Sequence, residues 1–306
     1  MLTLIPAMLE HVTPLTVNWV SLMRLMVRVV VLLPKVPAGE KVPPVDVVTA
    51  ETLQARDDVE VLTTGPSTFL TFNMWVDTEP FDDVRVRQAL KLVVDRTQII
   101  DVALSGFGSA GDDNPIPPGH PYAWRSDAQA QDVEEARSLL AAAGYDEQNP
   151  LEVDLYSADV LPGMTSAVQL YAQMAAEAGI QVNVITTPAS EYWDNVWMKQ
   201  PFQVSFWTVR PPSEGLAVSF RSEAESNETH WRREAYDALL DEAAATADPD
   251  DRAELYSRAA RMLSEEGGAI IPAFVDGVAA VRAECEGYEP RAEITRTDFR
   301  TVACDG

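Results

Sequence analysis

One segment near the middle of the chain constrains its fold more than any other. Leu151–Tyr156 and Ile180–Ile185 alternate apolar and polar residues as β-strands do, and between them Gly163–Ala178 has a helical pattern that ends at Gly179. A strand, a helix and a second strand of this size normally form a right-handed parallel βαβ unit. The sequence therefore predicts an α/β protein.

The rest of the chain predicts a series of further helices and strands. For the first hundred residues, we expect a strand-like Val42–Val48, a short helix Ala50–Ala55, strands Val59–Thr63 and Thr68–Trp75, a helix capped by Asp82 or Asp83, and a helix capped by Thr97 that runs to Leu104. Gly106–Pro121 is rich in glycine and proline and predicts a long irregular loop. Beyond it, we expect a helix Val133–Ala143 between Asp132 and Gly144, a helix capped by Ser190, a strand Phe202–Trp207, helices Ala235–Ala247 and Asp250–Glu266, and extended segments Ala269–Phe274 and Val278–Arg282.

Charge and composition limit the partners of this chain. Its 306 residues suffice for two domains, and its net charge is -25 with an isoelectric point near 4.3. Proteins that bind nucleic acids use lysine and arginine to displace counterions, so this charge argues against nucleic acid, and an anionic membrane would also repel it. The acidic surface fits either adaptation to a saline habitat or ordinary solvation.

The reactive residue types are sparse. The chain has two cysteines and three histidines, and His11, His120 and His230 lack the spacing of a metal site, so we expect no metal or cofactor. No phosphate-binding or dinucleotide-binding glycine motif occurs, which disfavours catalysis. Export would favour a bridge between Cys285 and Cys304, worth on the order of 3 kcal/mol, and a mobile C-terminus would disfavour it.

The N-terminal segment is apolar but does not have the pattern of a targeting sequence. Arg24 and Arg28 interrupt the apolar run Leu15–Pro34, and each would cost roughly 2.5–3.5 kcal/mol at the centre of a bilayer. Glu10 precedes any basic residue, whereas a secretory signal begins with positive charge. We therefore predict neither a transmembrane helix nor a credible signal peptide.

Four separated segments follow one another in an order that is typical of a known family. They are Pro80–Arg96, Asn114–Gly119, Phe206–Pro212, and Asn227–Trp231 with its continuation Glu265–Phe274. Together they resemble the family 5 extracellular solute-binding proteins, the peptide and nickel receptors of ABC importers. The resemblance covers roughly residues 42–287.

The resemblance implies a type II periplasmic-binding-protein-like fold with two lobes and a cleft between them. One lobe is complete and the other is truncated. Residues 1–41 match nothing in the family, 42–67 are a remnant of lobe I, 68–271 form lobe II, and 272–306 return into lobe I. The implied protein is a monomer outside the cytoplasm, in the periplasm or on the cell surface, that binds a small-molecule or oligopeptide ligand and delivers it to an ABC permease.

We expect the ligand site beyond the carboxyl ends of the strands, where ligands collect in parallel sheets. The residues expected there are Asn73, Trp75, Ser157, Asp159, Trp207, Arg210 and Glu214. By resemblance, Trp207 stands where the family places an aromatic wall beside the ligand; the alternative is an ordinary core tryptophan at a strand end. Asn73 would bond a peptide-like backbone or its own turn, and His120 would border the cleft or be merely exposed.

Arg210 departs from the family pattern. By resemblance, many peptide receptors have an aspartate three residues beyond the tryptophan, where it pairs with the amino terminus of the peptide. An arginine instead favours a carboxylate or phosphate. Arg210 either binds such a group or pairs with Glu214 and stiffens the turn.

The favoured function is therefore capture of a peptide-like solute, with nickel complexes or sugars as less favoured ligands. An inactive fragment of such a receptor is the alternative. A hydrolytic enzyme is the least favoured hypothesis, since carboxylates are abundant here and pairing them has little specificity.

Overall fold

A mixed β-sheet forms the centre of the molecule. The computed structural model describes residues 46–124, 130–290 and 301–304. In these ranges the strands are β1 Val59–Met74, β2 Gly108–Ala110, β3 Glu152–Ala158, β4 Gln181–Thr187, β5 Phe202–Thr208, β6 Ala269–Ile270, β7 Ala273–Arg282, β8 Cys285–Glu286 and β9 Ala303–Cys304. The first seven of them form one sheet in the order β2-β7-β1-β5-β3-β4, with β6 paired to β1.

Helices cover both faces of this sheet. The helices in the described ranges are α1 Val47–Gln54, α2 Val84–Leu92, α3 Arg96–Gln98, α4 Val133–Ala143, α5 Met164–Glu177, α6 Tyr192–Asn195, α7 Pro212–Val218, α8 Glu234–Ala245 and α9 Pro249–Glu266. After α3 the chain continues as a π-helical turn, Ile99–Ala103.

Two hydrophobic cores lie on opposite faces of the sheet, because alternate residues of a strand point to opposite sides. Leu70 and Phe72 of β1 belong to the core that α2, α4 and α5 cover. Phe69 of β1 belongs to the other core, with Leu216 of α7 and Tyr236 of α8. The result is a three-layered α/β arrangement, which confirms the predicted fold class.

The predicted βαβ unit is present. β3 and β4 run parallel, with Glu152 opposite Gln181 and Ala158 opposite Thr187, and α5 connects them. β3 is also parallel to β5, whereas β1 is antiparallel to both β5 and β7. The sheet is therefore mixed, a feature that determines below which predicted site residues meet.

The segment Pro80–Ile100 contributes buried cations to the fold. Arg87 of α2 donates to the carbonyl of Glu266 at 2.6 Å, and the Nζ of Lys91 donates to the carbonyls of Ser264 at 2.6 Å and Gly267 at 2.9 Å. These carbonyls belong to the C-terminal end of α9, where helical partners are absent and the helix dipole is negative. Burial lowers the pKa of Lys91 to about 8.

Arg96 anchors the next part of the chain. Its Nη1 donates to the carbonyl of Ile271 at 2.7 Å, and its Nη2 donates to both carboxylate oxygens of Asp113 at 3.0 Å. The Asp113 carboxylate also accepts the backbone N–H of Ile271 at 2.8 Å, and its side chain is 0% exposed. This buried pair joins the glycine-rich and proline-rich loop to Ile271, which follows β6.

The beginning of the described chain differs from the sequence prediction. Val47 and Val48, predicted as strand-like, begin α1 instead, because the Asp46 carboxylate accepts the backbone N–H of Thr49 at 2.7 Å and caps the helix. The part of that predicted strand before Asp46 lies outside the described residues. The two strands predicted between Val59 and Trp75 form a single strand, β1.

Two predicted caps and one predicted loop also need correction. Asp95 rather than Thr97 caps α3, with its carboxylate accepting the backbone N–H of Gln98 at 2.9 Å. Ser190 does not cap α6, because the preceding turn places Glu191 at the start of that short helix. The loop Gly106–Pro121 contains β2, which pairs with β7.

The structure decides the question of the disulfide, which the sequence left open. Cys285 and Cys304 are bonded, and they are also directly opposite each other in the β8–β9 pair. Of the two candidate caps of α2, Asp83 is the one observed, and the predicted cap of α4, Asp132, is confirmed.

Removing the charge of Asp113 should destabilise the fold strongly. In Asp113→Asn the Arg96 guanidinium stays buried without its carboxylate, and breaking a buried pair in this way typically costs about 3–5 kcal/mol. Urea denaturation followed by circular dichroism measures this free energy of unfolding. The matched control is Glu223→Gln, which breaks the exposed pair with Arg232 and should cost below about 1 kcal/mol. Equal losses in the two variants would contradict a structural role for the buried pair.

Candidate functional site

The seven predicted site residues do not share one edge of the sheet. Because β1 is antiparallel to β5, Asn73 lies opposite Gln203 at the beginning of β5, and the backbone N–H of Trp75 donates to the carbonyl of Pro201 at 2.8 Å. Trp207, at the other end of β5, lies opposite Phe69. The expectation of a common edge is therefore wrong for Asn73 and Trp75, since it assumed parallel strands throughout.

The other five predicted residues belong to the ends of two parallel strands. Ser157 and Asp159 lie at the carboxyl end of β3, where Ser157 is buried and Asp159 is exposed. Trp207, Arg210 and Glu214 lie at the carboxyl end of β5 and at the start of α7. Because β3 and β5 run in the same direction, these residues face the same side of the molecule.

Arg210 pairs with a neighbouring acidic residue in the structure. Its guanidinium donates to the Glu214 carboxylate, one helical turn further along the chain, and both side chains are partly exposed. Pairing with Glu214 is thus the observed arrangement.

Trp207 combines features of its two alternatives, a core tryptophan and an exposed aromatic surface. Its side chain is half-buried and packs against the core that α7, α8 and α9 cover. The remaining part of the indole is open to solvent at the strand end. The residue can therefore present aromatic surface while its position is fixed from behind.

A buried carboxylate that the sequence did not mark lies under this region. Glu228 is 2% exposed, and its two oxygens accept hydrogen bonds from the side chains of Asn73, Trp197 and Ser205, the last at 2.9 Å. The donors come from β1, from the turn after α6, and from β5. One carboxylate thus connects three separate elements across a face of the sheet.

The environment of Glu228 changes its acidity. Burial disfavours the charged form and raises the pKa to about 7, while the hydrogen bonds from Trp197 and Ser205 act in the opposite direction. The indole N–H of Trp207 also lowers this pKa. That N–H is buried and lies near the carboxylate without forming a hydrogen bond to it.

Aromatic rings surround the turn that carries Trp197. Trp193 meets Trp197 edge to face at a centroid distance of 5.5 Å and approaches Phe206 of β5 at 6.4 Å. All three rings are partly exposed. Trp193, Trp197 and Trp207 are half-buried indoles, which we call the aromatic wall. Phe206 precedes Trp207 in β5 and points to the opposite face of the sheet.

Sequence reasoning missed Glu228 and Trp197 for different reasons. Glu228 lies in the family-like segment Asn227–Trp231, but it is one of 48 acidic residues, and only its burial marks its environment as special. Trp197 was expected in a helix, and its indole N–H gave no sign of a partner 31 residues away. The available signal was the polar strip Thr71, Asn73, Gln203 and Ser205 on two central strands, since buried polar groups require partners.

The histidines have local partners. His120 accepts the backbone N–H of Tyr122 at 3.1 Å through Nδ1, and burial lowers its pKa. The ring of His230 stacks on Trp75 with centroids 4.4 Å apart and lies 3.0 Å from the Asp77 carboxylate. Within the described ranges, no group of three or more histidine, cysteine, aspartate or glutamate side chains is placed to hold a metal ion.

Sequence comparison gives the family of this α/β lobe. The model of the bacterial extracellular solute-binding proteins, family 5 (middle), matches residues 40–220, which is more than half of the chain. The chain belongs to this family. Its members are solute-binding proteins and not enzymes, and they are periplasmic or extracellular.

Individual relatives agree with this assignment. The dipeptide-binding protein of Escherichia coli K12 is 30% identical over 232 residues, which is 72% of this chain and 42% of that protein. The heme-binding protein A of Haemophilus influenzae is 29% identical over 233 residues, 72% of this chain and 41% of that protein.

A solved structure shows the same fold. The periplasmic binding protein DppA of Helicobacter pylori, in complex with the peptide STSA, superposes with a TM-score of 0.73 at 18% identity, covering 87% of this chain and 52% of that one. The chain thus spans about half the length of these proteins. This agrees with the predicted fold, one type II lobe with part of a second.

None of the helices in the described ranges combines the length and the hydropathy that crossing a bilayer requires.

The raised pKa of Glu228 predicts a pH-dependent stability. The folded chain holds this proton up to about pH 7, whereas the unfolded chain releases it near pH 4.5, so the stabilisation present below pH 4.5 is lost as the pH rises through 7. Relative to Glu228→Gln, which cannot ionise, the wild-type free energy of unfolding should fall by about 3 kcal/mol between pH 4.5 and pH 8.

Urea denaturation at several pH values measures this difference. The exposed Glu223→Gln variant serves as the control and should follow the wild-type profile. Parallel profiles for the wild type and Glu228→Gln would show that the carboxylate does not titrate in this range.

Proposed function

We propose that this chain is the substrate-binding component of an ABC importer, which captures a peptide-like solute in a cleft between its two lobes and delivers it to a membrane permease. Membership in family 5 supports this proposal, together with the relatives that are named for dipeptide and heme binding. The observation that carries it is the half-exposed Trp207 at the carboxyl end of β5.

The hinge between the lobes is proposed at the β1–β7 pair. The pairing changes register between Thr63 and Pro66 and again between Pro66 and Thr68, so the ladder is interrupted there. Gly65 has a φ of +74°, and a Cβ on Gly277 of the facing strand would lie 2.3 Å from Thr64 Oγ1. Small residues and broken pairing are features of a segment that can bend.

With the hinge at this position, Trp207 would lie beside the cleft. Trp207 and Thr208 lie opposite Phe69 and Thr68, directly next to the interrupted part of β1. A ligand held between the lobes would therefore meet the indole, and its burial would contribute binding energy without requiring one particular ligand side chain. Peptides of varied sequence fit this type of surface.

Arg210 belongs to the proposed site as the partner of a ligand carboxylate. Its exposed pair with Glu214 is of a kind worth only about 0.3–0.5 kcal/mol, so a ligand carboxylate can replace Glu214 at small cost. Ser157 and Asp159 lie at the neighbouring strand end and complete the proposed site. Asn73 and Trp75 lie away from it, as described above.

The proposed partner is an ABC permease, and the proposed location is outside the cytoplasm. An extracytoplasmic monomer with a net charge of -25 would meet a complementary basic patch on the permease, which mainly raises the rate of encounter. In the proposed mechanism both lobes enclose the ligand. The chain spans 42% of the dipeptide-binding relative.

Replacing Trp207 should weaken binding. In Trp207→Ala the affinity for a bound peptide should fall more than tenfold, since the aromatic surface that the ligand covers is removed. Isothermal titration calorimetry with the peptide Ser-Thr-Ser-Ala and with pooled dipeptides measures it, and circular dichroism verifies folding.

The control is Trp75→Ala, which removes an indole at the opposite end of the strand pair and should leave the affinity unchanged. Equal affinities of the wild type and folded Trp207→Ala would reject the proposed wall. A wild-type chain that gives no saturable heat with any peptide would favour the alternative of an inactive fragment.

A further inference from the structure

Two indole rings of the aromatic wall approach the same carboxylate. Trp197 donates its N–H to Glu228, and the N–H of Trp207 is buried close to it. The two tryptophans belong to different elements, the turn after α6 and the end of β5. Their common neighbour is a residue of the segment between α7 and α8.

The carboxylate is itself fixed from several directions. Ser205 donates to the same oxygen as Trp197, and Asn73 donates to the other oxygen. The side-chain oxygen of Asn73 in turn accepts from the Thr71 hydroxyl at 2.9 Å. A rotation of the Glu228 side chain would therefore break several hydrogen bonds at once, so its oxygens are held in place.

An indole held by its N–H edge has its ring plane restricted, while its faces stay available for contact. Trp197 and Trp207 are both half-buried, so part of each ring is open to solvent. Trp193 extends the surface of Trp197, as their edge-to-face ring contact shows.

We propose that Glu228 is a positioning residue of the binding site, which orients the indole of Trp197 beside that of Trp207 so that the aromatic wall receives an apolar or aromatic side chain of the ligand. The inference rests on the proposed function, because it assumes that Trp207 faces the ligand. It adds Glu228, Trp197 and Trp193 to the site, and it narrows the ligand class to peptides with large apolar side chains.

Because the indole of Trp197 donates to Glu228, its orientation depends on whether Glu228 is protonated. When Glu228 is protonated, one of its oxygens becomes a donor and can no longer accept from a neighbouring N–H. Among the described residues, the titratable side chain that faces Glu228 is Tyr192 of α6, which burial keeps neutral and whose hydroxyl donates to the carbonyl of Val204 at 2.5 Å. Asn73, Ser205 and the indoles do not titrate. The pH dependence is thus assigned to Glu228.

Tryptophan fluorescence of the full chain tests the orientation without any ligand. The wild-type emission should change with a midpoint near pH 7, the pKa of Glu228, and Glu228→Gln should show no such transition. Trp197→Phe and Trp207→Phe should each remove part of the amplitude. An unchanged transition in folded Glu228→Gln, or full amplitude in both tryptophan variants, would overturn the proposal.

Peptide affinity tests the consequence for binding. With a pool of dipeptides that contain phenylalanine or leucine as the probe, Glu228→Ala should bind at least tenfold more weakly than the wild type at pH 8. Glu228→Gln, which keeps one acceptor oxygen, should be intermediate, and its affinity should not vary between pH 6 and pH 8. Wild-type affinity and pH profile in Glu228→Ala would overturn the assignment.

The two readouts separate this inference from the proposed function. A wild-type chain that shows the fluorescence transition but binds no peptide contradicts the function and leaves the orientation of the indoles intact. A wild-type chain that binds peptides but shows no transition contradicts the inference alone. The exposed Glu223→Gln variant, in the same segment, is the control for both measurements.

Discussion

The fold depends on three buried cations of one short segment that hold the end of a distant helix. Arg87 and Lys91 donate to the carbonyls at the C-terminus of α9, and Arg96 ties the following residue Ile271 to Asp113. These bonds span more than 170 residues of sequence and close the lobe as a single unit. Because hydrogen bonds to charged groups contribute about 1.5–3 kcal/mol, the group outweighs the exposed ion pairs of the surface.

The same contacts give a structural reason for the spacing within the segment Pro80–Ile100, most of which follows the family pattern. Arg87 and Lys91 are one helical turn apart and so reach the same helix end. This segment therefore serves the architecture of the lobe. The proposed ligand site draws mainly on two other family-like segments, Phe206–Pro212 and Asn227–Trp231.

Much of the fold was predictable from the sequence, because local signals specify it. The βαβ unit and the cap Asp132 were predicted, Asp83 was one of two candidate caps, and the disulfide was left open until the fold brought Cys285 opposite Cys304. The direction of β1 was not, since strand pairing is decided by contacts across the whole chain. That single direction moved Asn73 and Trp75 away from the predicted edge.

The site was less predictable than the fold for a related reason. Trp207 and Arg210 were found through resemblance, but the buried carboxylate beneath them was not. Glu228 is held by residues 155, 31 and 23 positions away in the chain, and no periodicity reports such contacts. Burial of an acid costs free energy unless donors surround it, so the donors are the real signature, and only the fold assembles them.

The interrupted pairing of β1 with β7 has a mechanical consequence. If the lobes turn about the residues between Thr63 and Thr68, each strand moves in proportion to its distance from that pivot. β5 is next to β1 in the sheet, whereas β4 is its outermost strand on that side. Trp207, on β5, would then move little during closure. The outer strands, which lie farther from the pivot, would move through a larger distance.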